Sequence, residues 1–188
     1  VIGSSSEYGK CDIPMHEALL PHPDSFYAAS KVAAVNLAYV WAHEYDKPVV
    51  TVRPFSVTGP GEQEQHLLPK LIKSAFTGEE MPFVGEPVHD FIDVRDFMDG
   101  IWKVIRNARK IKGEVINIGS GVQYTNEEVR QLVERITNKK INTVPTKQKY
   151  YDKKLWVADN FRLRSLGWQP KFTLEQTILD MVNKHHEK

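Results

Sequence analysis

A tyrosine and a lysine four residues apart are the first side chains in this sequence that could do chemistry. Tyr27 and Lys31 lie in a segment without proline or glycine, and a spacing of four puts both side chains on one face of a helix. A neighbouring ammonium favours the ionised form of a phenol, which can then exchange a proton with a carbonyl or alcohol oxygen. The hydroxyl of Ser4 could hold the same oxygen by a hydrogen bond. By itself the pair is weak evidence, because this spacing also occurs on helices without a catalytic role.

Helices alternating with short apolar strands must position these residues. A helix is predicted over 26–45, capped by Ser25 or Asp24. Residues 1–3 are typical of the end of a buried strand, and 49–52 of a buried parallel strand. Further helices are predicted over 67–76, 94–107, 125–136, 160–166 and 174–185, with strands over 81–84, 91–94, 114–118 and 141–144. Thr125 with Glu128 predicts a capping box. This order favours an α/β fold with a doubly wound sheet.

The composition excludes several classes of protein. The chain has 188 residues, 41% of them hydrophobic, which is enough for one sizeable core and a small lobe. Lys and Arg total 25 against 24 Asp and Glu, so nothing points to a nucleic-acid partner. No apolar run is long enough for a membrane span. The single cysteine, Cys11, excludes a disulfide framework within the chain and favours a reducing, cytoplasmic setting.

Six short blocks follow one another in a fixed order. They are the segments 3–9, 27–31, 53–61, 89–96, 115–121 and 166–170. In this order and spacing they resemble the extended short-chain dehydrogenase/reductase family, and within it the nucleotide-sugar branch of NAD-dependent epimerases and dehydratases. The resemblance covers nearly the whole chain. It implies the C-terminal part of a doubly wound, Rossmann-type parallel sheet plus a small α/β substrate-binding lobe, with NAD or NADP as cofactor, a nucleotide sugar as substrate and no metal.

The resemblance also implies a role for individual positions. Its catalytic positions are Ser4, Tyr27 and Lys31, with Tyr27 as the acid/base and Ser5 as the alternative to Ser4 if the turn is shifted by one residue. Lys31 would also bind the ribose of the nicotinamide. The implied cofactor-binding positions are Tyr27, Lys31, Pro54, Phe55 and Ser56. The implied substrate-binding positions are Ser5, Ser56, Leu67, Lys70, Pro82, Phe83, Val84, His89, Asn117 and Lys154.

Two departures from the family pattern bear on the reaction. Where dehydratases carry an acidic residue that drives loss of water, this chain has Ser5 and Ser6, and Glu7 could serve only if the loop were one residue shorter. We therefore expect 4-keto reduction or C4 epimerisation, with reduction favoured because the first block resembles that of GDP-deoxymannose reductases. The alternatives are a 4,6-dehydratase and a non-catalytic nucleotide-sugar-binding protein of the same fold. His89 replaces an arginine that contacts the diphosphate, and Arg95 or Lys154 could compensate.

No glycine-rich dinucleotide turn precedes the first block in this sequence. We therefore expect the C-terminal portion of a family member, inactive by itself and without affinity for NAD or NADP. Residues 1–61 would belong to the cofactor-binding domain and 62–188 mostly to the substrate lobe, with 91–121 returning to the sheet. The helix over 26–45 resembles one through which family members dimerise, which predicts a homodimer and an exposed apolar flank.

Overall fold

The structure, a computed structural model, describes residues 1–147 and 155–186. Its helices are α1 (Phe26–His43), α2 (Leu67–Thr77), α3 (Val94–Asn107), α4 (Asn126–Thr137), α5 (Phe161–Ser165) and α6 (Leu174–His186). Its strands are β1 (Thr51–Pro54), β2 (Ser56–Thr58), β3 (Met81–Phe83), β4 (Val88–Asp93), β5 (Val115–Ile118), β6 (Gln123–Thr125) and β7 (Thr143–Pro145). A single turn of 3-10 helix, Ser5–Tyr8, precedes α1.

Local sequence rules predict the helices well. The Oγ of Ser25 accepts a hydrogen bond from the Ala28 amide at 3.1 Å, so Ser25 is the cap of α1. The predicted capping box of Thr125 and Glu128 is present at the start of α4. The 3-10 turn and the three-residue strands β2 and β6 were not predicted, because their residues are mostly polar and show no apolar run.

Parallel pairing dominates the sheets. The strand β1 pairs with β5 in the register Thr51↔Val115, and residues 1–3 lie on its other side, where the Gly3 amide donates to the Val52 carbonyl at 2.8 Å. The strand β4 lies between β2, which is parallel, and β6, which is antiparallel, while β3 pairs with β7. The α/β class is confirmed. The expected burial of residues 1–3 is not seen for Val1 and Ile2, which are 51% and 50% exposed in this structure.

Two main hydrophobic clusters divide the molecule. One joins β1 and β5 to α3 and includes the fully buried Leu163 and Trp168. The other joins α2, α4 and α6, with Leu71, Val129 and Ile178 at its centre. Leu163 and Trp168 belong to the predicted lobe over 62–188, but they pack in the cluster around β1 and β5. The boundary at residue 61 itself stays a prediction.

Three aspartates at intervals of three bind separate parts of the chain at the passage from β4 to α3. Asp90 accepts hydrogen bonds from the amides of Ser120, Gly121 and Ala158. Asp93 binds Arg95 and the Thr177 hydroxyl, and Asp96 accepts from the amides of Lys171 and Phe172. All three are at most 3% exposed. Asp90 and Asp96 provide acceptors for loop amides that would otherwise lack partners, and Asp93 links the start of α3 to α6.

The helix α1 is apolar around most of its circumference. Its buried residues are three alanines, whereas Leu37, Tyr39 and Trp41 are 65%, 56% and 52% exposed. Such a helix is normally covered on several sides. Within 1–147 and 155–186, no helix combines the length and the hydrophobicity that crossing a bilayer requires.

Candidate active site

A cavity of about 670 Å³ lies where the extended residues 1–3 and the strand β1 end. Ligands bind at this end of the strands in parallel α/β sheets. Its walls come from the 3-10 turn, the start of α1, the junction of β1 and β2, and the start of β4. The structure brings together seven of the predicted site residues there: Ser4, Ser5, Tyr27, Pro54, Phe55, Ser56 and His89.

Ser4 is held on two sides as the cap of the 3-10 turn. Its amide donates to the Glu7 carboxylate at 2.8 Å, and its Oγ accepts from the Ser6 amide at 3.1 Å. Because the Oγ acts as an acceptor in that bond, its own hydrogen is left to donate to an oxygen in the cavity. The residue is only 7% exposed, so the hydroxyl has a defined position.

Tyr27 and Lys31 occupy the first turns of α1. The Tyr27 side chain is 56% exposed and contributes to the cavity wall. The Lys31 Nζ lies 5.7 Å from the centre of the Tyr27 ring and donates to the Ile2 carbonyl at 3.1 Å. Lys31 thus connects α1 to residues 1–3. Its ammonium lies on the same side of α1 as the Tyr27 ring, as the four-residue spacing predicts.

The junction of β1 and β2 forms the apolar floor and one polar corner. The Phe55 amide donates to the Ile118 carbonyl at 3.0 Å, which fixes the chain where it passes the cavity. The Phe55 ring meets the edge of the Trp156 ring, with 6.5 Å between centroids. Ser56 Oγ and His89 Nδ1 are 3.5 Å apart, a long polar contact between neighbouring strands.

Glu7 points away from the cavity and into the protein. Its carboxylate is fully buried and accepts a hydrogen bond from Arg53 Nε at 2.8 Å. The turn therefore presents the hydroxyl residues Ser4, Ser5 and Ser6 to the cavity, and the possibility that Glu7 supplies a carboxylate there is wrong. Among the lining residues that the structure describes, the acidic one is Asp24, an exposed residue just before α1.

Tyr8 and Asn117 form a buried pair behind this turn. Burial raises the pKa of Tyr8 to about 12, and its hydroxyl donates to Asn117 Oδ1 at 2.8 Å. The Asn117 amide nitrogen donates to the carbonyls of Met15 and Asp159 at 2.7 and 3.1 Å. Asn117 was predicted to contact the nucleotide, but its side chain is 0% exposed and used inside the protein. It holds the turn in place and offers no exposed atom to a ligand in this structure.

The remaining predicted substrate positions lie apart from the cavity. Leu67 and Lys70 are on α2, Pro82 and Phe83 are in β3, and Val84 follows that strand. Leu67 and Phe83 pack against the cluster of α2, α4 and α6. Lys154 lies outside the described residues. These assignments therefore remain predictions about a larger substrate pocket.

Arg95 does not replace the missing diphosphate arginine. Its guanidinium donates to both oxygens of Asp93, at 2.9 and 2.8 Å, and pairs with Asp180 at 2.8 Å. Its other face lies 3.6 Å from the centre of the Phe172 ring. These contacts fix Arg95 between α3 and α6, so the expectation that it could compensate for His89 is wrong.

Six lining residues were not predicted: Ser6, Asp24, Ser25, Val57, Val88 and Trp156. Ser6, Val57 and Val88 directly adjoin the predicted residues Ser5, Ser56 and His89, and adjacency alone could have suggested them. Asp24 and Ser25 come just before α1 and were considered only as caps of that helix. Trp156 follows Lys154 by two residues, and its position depends on contacts of the next residues with Met15 and Asp90.

Comparison with known proteins relates this geometry to characterised enzymes. A profile described as the NAD dependent epimerase/dehydratase family matches residues 1–119. The chain is 28% identical over 176 residues to dTDP-glucose 4,6-dehydratase of Haemophilus influenzae, covering 86% of this chain and 52% of that protein. It is 26% identical over 190 residues to GDP-6-deoxy-D-mannose reductase of Pseudomonas aeruginosa, covering 94% and 62%.

A solved structure shows the same fold. UDP-glucuronic acid 4-epimerase from Bacillus cereus, in complex with UDP-glucuronic acid and NAD, matches with a TM-score of 0.93 and 26% identity. The match covers 99% of this chain and 60% of that one. The chain thus spans roughly half to two thirds of the length of these three proteins.

Proposed function

Because the chain belongs to the NAD-dependent epimerase/dehydratase family, we propose that it carries the proton-transfer half of the active site of an enzyme that modifies nucleotide sugars. The reaction is hydride transfer with NAD or NADP at the sugar C4, as 4-keto reduction or C4 epimerisation. The observation that carries the proposal is the cavity that gathers Ser4, Tyr27 and the turn at Phe55.

Tyr27 exchanges the proton at the sugar oxygen. Its phenol is exposed in the cavity wall, so it can reach a ligand without breaking an internal contact. The Lys31 ammonium lies 5.7 Å from the centre of the Tyr27 ring, on the same face of α1. The Ser4 hydroxyl donates to the same oxygen and holds it at a fixed point, because both the amide and an Oγ lone pair of Ser4 are already bound.

The residues present fit the nicotinamide end of the cofactor. Lys31 uses one N–H on the Ile2 carbonyl and keeps two more donors for a ribose. Pro54 and Phe55 provide an apolar wall next to the polar corner of Ser56. When bound, the nicotinamide supplies or accepts the hydride at the sugar carbon. The chain's own part is to orient the sugar oxygen and move its proton.

The geometry favours reduction or epimerisation over dehydration. Removal of water from a 4-keto sugar needs a general acid or base, and the resemblance places that group on the turn that carries Ser4. At that turn the cavity meets three serine hydroxyls, and the Glu7 carboxylate is bound to Arg53 inside the protein. The second candidate function is that of a non-catalytic nucleotide-sugar-binding protein, and the presence of Ser4, Tyr27 and Lys31 in one place speaks against it.

Association and location complete the proposal. The exposed apolar surface of α1, with Leu37 and Trp41 among its members, supports a homodimer formed through this helix. The near-neutral charge supports a small-molecule substrate rather than a nucleic acid. The single cysteine supports a cytoplasmic location.

A substrate panel tests the reaction in the whole protein. We would supply 4-keto-6-deoxy nucleotide sugars with NADH or NADPH, and nucleotide hexoses with NAD, and analyse the products by NMR. We expect a reduced 4-hydroxyl or a C4 epimer. A 4-keto-6-deoxy product from a nucleotide hexose would instead establish dehydration, and tight binding of a nucleotide sugar without any product would establish the non-catalytic function.

A further inference from the structure

The buried carboxylate of Glu7 divides its two oxygens between two different partners. Oε1 accepts from the Ser4 amide and Oε2 from Arg53 Nε, each at 2.8 Å. We propose that Glu7 and Arg53 are a positioning pair that sets the direction of the Ser4 hydroxyl for proton transfer. The proposal rests on the function proposed above, in which Ser4 holds the sugar oxygen.

The contacts of Ser4 make its hydroxyl depend on Glu7. The Ser4 backbone is extended, with φ −161° and ψ 144°, and its amide points at the Glu7 carboxylate. The Oγ accepts from the Ser6 amide inside the same turn. Because Glu7 holds the Ser4 amide, any movement of the Glu7 carboxylate shifts the Ser4 backbone and its Oγ with it.

Arg53 connects this turn to the sheet. It lies in β1 opposite Asn117 of β5, and its side chain is 3% exposed. Its guanidinium also lies 4.4 Å from the centre of the Tyr8 ring. No hydrogen-bond acceptor for Arg53 Nη1 is found among the described residues. The Glu7 carboxylate therefore joins the catalytic turn to the rigid strand through a single charged contact.

The neighbouring backbone is shaped to admit the carboxylate. A Cβ added to Gly3 would lie 2.4 Å from Glu7 Oε1 and 3.2 Å from the Val52 carbonyl oxygen. Glycine at position 3 lets the carboxylate approach the chain directly before Ser4.

A carboxylate is required because two donors need two acceptors. Glutamine has one acceptor oxygen and one NH2 group. In Glu7→Gln, either the Ser4 amide or Arg53 Nε must therefore face a donor. A second change, Arg53→Gln, restores complementarity, because the oxygen of the shorter side chain at position 53 can accept from the NH2 group introduced at position 7. In the double variant, Glu7→Gln with Arg53→Gln, the single side-chain oxygen at position 7 can then accept from the Ser4 amide.

The test is a double-mutant cycle on turnover in the whole protein. We expect Glu7→Gln to lower kcat about tenfold, with KM for the nucleotide sugar within about twofold, because a displaced catalytic group costs rate rather than binding. In the Ser4→Ala background Glu7→Gln should cost nothing further. The variant Glu7→Gln with Arg53→Gln should recover most of the lost kcat.

Asp93→Asn is the matched control, since Asp93 is also a buried helix-capping carboxylate paired with an arginine, but it lies outside the cavity. It should leave kcat unchanged at a temperature where the protein is folded. The inference is overturned if Glu7→Gln retains normal kcat, if its effect is equally large without the Ser4 hydroxyl, or if neither Glu7 variant folds. If Ser4→Ala itself retains full activity, the serine role in the proposed function fails instead.

Discussion

Replacing Asp90 by asparagine should destabilise the protein measurably. The Asp90 carboxylate is fully buried and accepts four hydrogen bonds, from the amides of Ser120, Gly121 and Ala158 and from the Ser120 hydroxyl, at 2.6–3.0 Å. Asparagine supplies one acceptor oxygen instead of two. Its better orientation turns that oxygen to Gly121 and Ala158 and lets its NH2 donate to the Ser120 hydroxyl.

In that orientation the half-buried Ser120 amide is left without an acceptor. An orphaned donor costs about 1–3 kcal/mol, and because burial raises the pKa of Asp90, the loss of its charge adds nothing to that cost. We therefore expect a loss of about 2 kcal/mol, or roughly 4–8 °C in Tm for a domain of this size.

Urea denaturation followed by tryptophan fluorescence measures the loss. The control is Asp99→Asn, because the Asp99 carboxylate is 37% exposed and pairs with Lys171 at 3.3 Å. An exposed pair of this kind contributes less than about 1 kcal/mol. If Asp90→Asn and Asp99→Asn had the same midpoint, the four bonds to Asp90 would contribute nothing measurable, and the expected loss of stability would be refuted.

Four other predictions test the site and the fold. Tyr27→Phe in the whole protein should lower turnover by about two to four orders of magnitude without changing Tm, whereas Tyr39→Phe, equally exposed on the same helix, should leave turnover normal. Burial opposes ionisation of Asp93, but the hydrogen bonds from Arg95 and Thr177 outweigh it and hold the pKa of Asp93 below its ordinary value of 3.8. The stabilisation by this carboxylate is therefore present above pH 3.8 and is lost as the pH falls through the lowered pKa. When Tm is measured as the pH is lowered through this range, Asp93→Asn should lose less Tm than the unmodified chain. Calorimetry should detect no micromolar binding of NADH or NADPH to the 188-residue chain, since no glycine-rich pyrophosphate turn lies in it, and clear binding would contradict this. Sedimentation should show association at high concentration that Trp41→Asp abolishes, and a monomeric unmodified chain would contradict the role of α1.

Most of the fold could be predicted because its signals are local. The α1 helix follows from an uninterrupted apolar segment, and its start from Ser25, whose side chain caps the first turn. The α4 helix follows from Thr125 and Glu128 in the same way. The parallel strand at β1 follows from a short β-branched run between turn residues. In each case the residues that decide the structure are within a few positions of one another.

The candidate site could be predicted only as a set of positions. The order of the sequence blocks placed Ser4, Tyr27 and Phe55 near one cofactor, and the structure puts all three around one cavity. It could not show that Asn117 is consumed by Tyr8 and two carbonyls, or that Arg95 is bound by carboxylates from two parts of the chain. Many of those partners lie far away in sequence, and residue type alone does not distinguish a ligand contact from an internal one.

In the block around Asp90, a residue that lines the cavity stands next to residues that make internal contacts. Residues 89–96 carry one side chain that lines the cavity, His89, and three buried aspartates that bind loop amides, an arginine and a hydroxyl. The aspartates fall every third residue as β4 passes into α3, so each meets a different part of the chain. A substitution at Asp90, Asp93 or Asp96 should therefore act mainly on stability, whereas one at His89 should act mainly on the ligand. The same distinction separates Glu7 from Ser4: the carboxylate lies inside and fixes the turn, and the hydroxyl that it fixes is the one that faces the cavity.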